Sequence, residues 1–115
     1  MEKLYVVLRG DLSPGQMLPQ TGHGVRAFVQ HHPKLDAAWH EYSKNLVVLE
    51  VPDEKALWTL YQKAKNKGIP ACYFKEPDLG NSMTCIALGM GGHRIVSSLP
   101  LALRDAHRDP IVSAA

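Results

Sequence analysis

Several things are scarce in these 115 residues, and each scarcity closes off a class of protein. There are two cysteines, Cys72 and Cys85, and six histidines. The cysteines have no metal-ligand spacing and no partners for a disulfide framework, so reduced thiols in a cytosolic protein are the expectation. His31, His32 and His40 cluster around Pro33 in a pattern that fits no tetrahedral set, and no metal is expected. No apolar run approaches the ~20 residues of a membrane span, and the start, MEKLYVVLRGD, is too short an apolar stretch for a signal peptide. Charge of one sign is also lacking. The formal net charge is +2, which permits contact with phosphates without arguing for nucleic acid. Repeats and composition breaks are absent. A chain of this length, 45% hydrophobic, fits one domain with its own core, needing no covalent staples.

What is present reads as alternating strands and helices. Leu4–Leu8 is a continuous apolar run, expected as a buried central strand. Leu18, Val25, Phe28 and Val29 carry helical spacing from about Leu18 to His32, and Pro33 stops that helix. Leu35, Trp39 and Tyr42 then predict a short second helix. LVVLEV, Leu46–Val51, is a second strand. Asp53 caps a helix striped by Leu57, Leu60, Tyr61 and Ala64, and Gly68 and Pro70 end it. Ala71–Phe74 and Met83–Met90 are the third and fourth strands, joined by a polar loop. Ile95–Leu103 predicts a short helix and a tail that either covers the core or makes a dimer contact. The reading is one domain over 1–104 and a loosely ordered tail over 105–115. The fold class is α/β: a four-stranded mixed sheet with helices on both faces.

The segment RGDLSPGQMLPQTGHG, Arg9–Gly24, is long for a connector. Ligands in open α/β sheets bind beyond the carboxyl ends of the parallel strands. If the first and third strands run the same way, their loops meet at one rim. One loop supplies Asp11, Gln16, Gln20 and His23. The other supplies Glu76, Asp78 and Asn81, with Thr84 at the start of the last strand. Gln20 and His23 are three apart and share a helix face, expected near the helix N-terminus, where free N–H groups attract anions. Gly89–Gly92 lacks the lysine and hydroxyl residue of a phosphate loop and reads as a turn. Arg9-Gly10-Asp11 matches an adhesion tripeptide by coincidence.

Four segments in this order carry a resemblance: YVVLRGDLSPGQ, the Gln20 and His23 of QTGHG, LVVLEVPDEKALWTLYQKAKNKGIP, and EPDLGNSMTCIALG. Over roughly residues 4–90 the chain resembles the type 2 peptidyl-tRNA hydrolases. The resemblance implies hydrolysis of the ester joining a peptide, or an aminoacyl group, to tRNA, which recycles the tRNA. It implies a peptidyl-tRNA or aminoacyl-tRNA partner, no cofactor, a cytoplasmic location and a homodimer. It places the active-site acid on Asp78, with Glu76 as the competing assignment, and adds His23 and Thr84 as catalytic residues. Asp11, Gln16, Gln20 and Glu76 are then the substrate-binding candidates. Gln16 stands where family members carry a lysine, and glutamine brings no charge. A non-catalytic tRNA- or protein-binding module on the same fold is therefore the alternative expectation.

Overall fold

In the computed structural model, residues 2–104 are described. The expected tail over 105–115 lies outside them. The elements are β1 (Leu4–Arg9), α1 (Pro14–His31), α2 (Pro33–Tyr42), β2 (Leu46–Val51), α3 (Glu54–Asn66), β3 (Ala71–Glu76), a 3-10 turn over Pro77–Leu79, β4 (Ser82–Leu88) and α4 (His93–Val96).

The four strands form one sheet in the order β2-β1-β4-β3. β1 pairs with β2 in parallel, and β4 runs antiparallel to both β1 and β3. Strands β1, β2 and β3 therefore point one way and β4 the other. The carboxyl ends of β1 and β3 share a rim, and β4 starts there. This is the mixed sheet expected from the short β3–β4 link, with β4 inserted between the strands whose loops had to meet.

Helices cover both faces. Leu4, Val6, Leu8, Cys72, Cys85 and Ala87 pack with Met17, Ala27 and Phe28 of α1. Val7, Ile86 and Leu88 pack on the other face with Leu57, Leu60 and Ala64 of α3 and with Ile95 and Val96. Strand β4 is buried from Met83 to Leu88, because it has a strand on either side and helices above and below. Both cysteines are free and buried, as their place on strands suggests.

Helix α1 begins at Pro14, four residues before the expected start at Leu18. Most of the proposed loop is thus helical. Pro14 occupies the first turn, where no N–H is required. Ser13 and Gln16 form a capping box: Ser13 Oγ accepts from Gln16 N (3.2 Å) and Gln16 Oε1 accepts from Ser13 N (2.9 Å). Pro19 sits inside the helix at the cost of one backbone hydrogen bond. Gly24 faces the sheet: a β-carbon there would lie 3.0 Å from Val6 Cγ1 and 3.2 Å from Cys85 Sγ. The glycine lets α1 lie close against β1 and β4.

Helix α3 follows expectation. Asp53 accepts from Ala56 N (2.9 Å). At its end Gly68 takes φ +69°, and Gly68 N and Ile69 N donate to Lys65 O and Ala64 O, closing a Schellman motif. The segment after α4 lies along the outer edge of β2. Glu50 N donates to Pro100 O (3.1 Å) and Ala102 N to Val48 O (2.9 Å), while Leu103 N reaches Glu50 Oε1 (3.2 Å). Leu99, Ala102 and Leu103 of this segment pack on the core, while Leu101 is 55% exposed.

Candidate active site

The site is built on an irregularity in the sheet. Phe74 pairs with Cys85, but the next residue, Lys75, pairs with Met83. Thr84 is thus an extra residue in β4, a β-bulge. Met83 belongs to the α3 face and Cys85 to the α1 face. Strict alternation would send Thr84 to the α3 side. The bulge instead lets Thr84 join Cys85 on the α1 side, where its Oγ1 donates to Gln20 Oε1 at 2.6 Å. Cys85 Sγ donates to Gln20 O at 3.2 Å. Two adjacent residues of β4 therefore hold one residue of α1.

Gln20 passes this order outward. It is 3% exposed, and its Nε2 donates to Glu76 Oε1 at 2.8 Å. A carboxylate only accepts, so the amide nitrogen must face Glu76 and the amide oxygen must face Thr84. The threonine hydroxyl is then committed as a donor. The result is a directed chain, Thr84 to Gln20 to Glu76, from a fully buried hydroxyl to a carboxylate whose side chain is 14% exposed.

His23 lies one turn further along α1, with 43% of its side chain exposed. Its ring stacks on Phe74, with centroids 4.2 Å apart and planes 13° apart. Its Nε2 is 3.8 Å from Glu76 Oε1, longer than a direct hydrogen bond. Glu76 also accepts from Asp78 N at 3.4 Å. Its pKa is held below the usual carboxylate value. The hydrogen bond from Gln20 is the largest cause, with Asp78 N–H and His23 adding to it and burial opposing. Glu76 is ionised at neutral pH.

The structure thus gathers Gln20, His23, Glu76 and Thr84. Gln20 and His23 share a face as expected, but they lie about two turns inside α1, away from its N-terminus. The Asp78 side chain is exposed and has no hydrogen-bond or ion-pair partner among the described residues; only its backbone joins the cluster. Asp11 is engaged by Arg9, with Nε–Oδ1 at 2.9 Å and Nη2–Oδ2 at 3.0 Å. The same guanidinium donates from Nη1 to Ser82 Oγ at 2.9 Å, and Ser82 Oγ donates to Leu79 O. This ties the end of β1 to the turn before β4. Gln16 is exposed, and its amide oxygen closes the capping box.

Phe74 was not legible as a site residue, since strand apolar residues are ordinarily core. Its place two residues before Glu76, on the same strand face, was the available signal. The two thiols nearby are inert: burial pushes Cys72 up to about 11 and Cys85 to about 12, so neither is a thiolate near neutral pH. Among the described residues no group of three or more histidine, cysteine or acidic side chains could hold a metal ion.

An α/β sheet with a polar helix-to-strand cluster at the rim where its parallel strands end is a ligand-binding frame of the open α/β type. The family model described as peptidyl-tRNA hydrolase PTH2 matches residues 2–104. The chain is 31% identical over 99 residues to the peptidyl-tRNA hydrolase of Methanocaldococcus jannaschii, covering 76% of this chain and 84% of that protein. It is 28% identical over 107 residues to that of Thermococcus sibiricus, covering 84% and 91%. A solved structure of a protein of unknown function from Agrobacterium tumefaciens superposes with a TM-score of 0.64 at 20% identity, covering 87% and 96% of the two chains; that likeness is one of fold alone. The chain belongs to the peptidyl-tRNA hydrolase PTH2 family.

Proposed function

We propose that this protein hydrolyses the ester between a peptide and tRNA, with Glu76 and His23 as the reacting pair. The observation that supports this best is the convergence on Glu76 of Gln20 from α1, Asp78 N from the following turn and His23 at 3.8 Å. That separation suits one water bonded to both Glu76 Oε1 and His23 Nε2. The water oxygen adds to the ester carbonyl carbon as its proton passes to the pair. The carbon–oxygen bond to the ribose then breaks, and the proton returns to the departing ribose oxygen. A carboxylate with a depressed pKa is a weak base, but it stays charged and stabilises an imidazolium. Imidazole is suited to proton transfer near neutral pH. Glu76 therefore takes the acid position in this reading, ahead of Asp78. Thr84, with no exposed surface, positions Gln20 and does not touch substrate.

The test is release of peptide from peptidyl-tRNA. Glu76→Gln and His23→Ala should each lower turnover about 10²- to 10⁴-fold, while Asp78→Ala should stay within a few-fold of wild type. A large loss in Asp78→Ala with Glu76→Gln active would return the role to Asp78. The second reading, a non-catalytic tRNA- or protein-binding module, is supported by Gln16, whose amide closes the capping box and carries no charge. It requires an inert wild type that gains activity on Gln16→Lys. The hydrolase reading goes with translation in the cytoplasm. Family likeness makes a homodimer the expected assembly, which sedimentation checks.

A further inference from the structure

Strand β3 is an uncovered edge among the described residues, whereas the opposite edge, β2, carries the C-terminal segment. Its residues alternate across the sheet. Phe74 and Glu76 face α1 and make the site above. Tyr73 and Lys75 face α3, where they meet an aromatic cluster. Trp58 and Tyr73 have centroids 5.6 Å apart, and Tyr61 meets Tyr73 edge-on at 5.1 Å. Lys75 Nζ lies 5.4 Å from the Trp58 ring centre and 5.7 Å from that of Tyr73. Tyr73 is 38% exposed. Among the described residues Lys75 makes no ion pair, and Glu54, one turn before Trp58 on α3, accepts from Met83 N at 2.7 Å.

We infer that Tyr73, Trp58 and Lys75 form a platform for the single-stranded 3′ end of the tRNA, a role resting on the hydrolase reading. Partly exposed aromatic rings beside a cation are what sequence-tolerant binding of single strands uses: the ammonium that lies over Trp58 and Tyr73 moves to a phosphate, and bases stack on the rings in its place. The position is right for it. Lys75 is the chain neighbour of Glu76, and Tyr73 that of Phe74, on which His23 stacks. A strand whose terminal ribose ester sits at Glu76 and His23 need only turn over the single edge strand. About one or two nucleotides then lie on the rings. A lysine on an edge strand also discourages edge-to-edge pairing, but that purpose gives no dependence on substrate length.

The experiment compares Tyr73→Thr and Lys75→Ala with wild type on two substrates, peptidyl-tRNA and a peptidyl ester of a single nucleoside. Tyr73→Thr keeps a strand-forming residue but loses the contacts to Trp58 and Tyr61, so its unfolding midpoint should fall by several degrees, whereas the exposed Lys75 can be replaced at little cost; both variants are assayed well below their midpoints. For peptidyl-tRNA, KM should rise about tenfold at little-changed kcat, and the nucleoside ester should be cleaved as by wild type. Binding is read separately with a short oligoribonucleotide ending in CCA, which should quench wild-type tryptophan fluorescence, with about tenfold weaker binding in the variants. Variants that bind the oligonucleotide as wild type does, or an equal KM change on both substrates, would overturn the platform. A wild type that binds the oligonucleotide in this way but cleaves neither ester would remove the hydrolase reading and leave the platform standing.

Discussion

At the scale of single residues, Gln20 is the hinge of the site. A buried glutamine needs partners at both ends of its amide, and Thr84 and Glu76 supply them from different elements. Thr84→Val keeps the shape and removes the donor, leaving Gln20 Oε1 unsatisfied. The expected cost is about 1–3 kcal/mol of stability, with slower turnover because nothing then fixes which end of the amide faces Glu76. Thr84→Ser should recover most of both, which paired denaturant and hydrolysis measurements would check. Glu76 gives a pH prediction. Its folded pKa lies below its ordinary 4.5, so its contribution to stability is present above that value and is lost as pH falls through the depressed folded value. Gln20→Ala removes the largest cause of the depression. The carboxyl titration of Glu76, followed by carbon NMR, should move upward, and the loss of stability below about pH 4.5 that Glu76 causes should shrink. An unmoved titration would assign the depression to Asp78 N–H and His23 instead.

At the scale of elements, α1 carries both the misreading and the success of the sequence. The prolines and glycines between Arg9 and Gly24 delayed the expected helix start to Leu18, because each disfavours a helix interior, although α1 begins at Pro14. In place, Pro14 is at the first turn and Gly24 is where α1 touches Val6 and Cys85. Such a glycine cannot be told from a loop glycine until the neighbouring strands are known. The i, i+3 spacing of Gln20 and His23 was legible because it depends on the helix alone. The bulge at Thr84 was not: a two-for-one pairing depends on the register between β3 and β4, which no local pattern encodes. For the same reason Thr84 could be named by resemblance but not given a direction. The capping box yields the test at this scale. Ser13→Ala should cost about 1 kcal/mol and lower the midpoint by several degrees. It leaves every residue of the Thr84–Gln20–Glu76 chain in place, so KM and kcat at 25 °C should hold. A loss of activity in the fully folded variant would mean that the first turn of α1, and with it Gln16, takes part in the site.

At the scale of the whole molecule, the sheet has two edges and treats them differently. The order β2-β1-β4-β3 puts the most buried strands in the middle. It leaves β2 and β3 with unpaired backbone groups that invite association. The C-terminal segment answers for β2, contributing backbone bonds at Glu50 and Val48 and packing Leu99 against the α3 face and Leu103 against the α1 face. Sequence alone showed that Leu99–Leu103 was apolar enough to pack but not against which edge, since nothing in its own pattern refers to β2. Ending the chain after Ser98 removes those bonds and re-exposes the edge. At about 1 kcal/mol for each net hydrogen bond, together with the lost apolar burial, the expected loss is about 3–5 kcal/mol, a large share of a small domain's stability. The shortened protein should also self-associate beyond the dimer expected of the full chain as concentration rises, visible by light scattering. If it stays as stable and as dispersed as the full chain, the segment is not what protects β2, and the asymmetry between a closed edge and an edge kept open beside the active site loses its meaning.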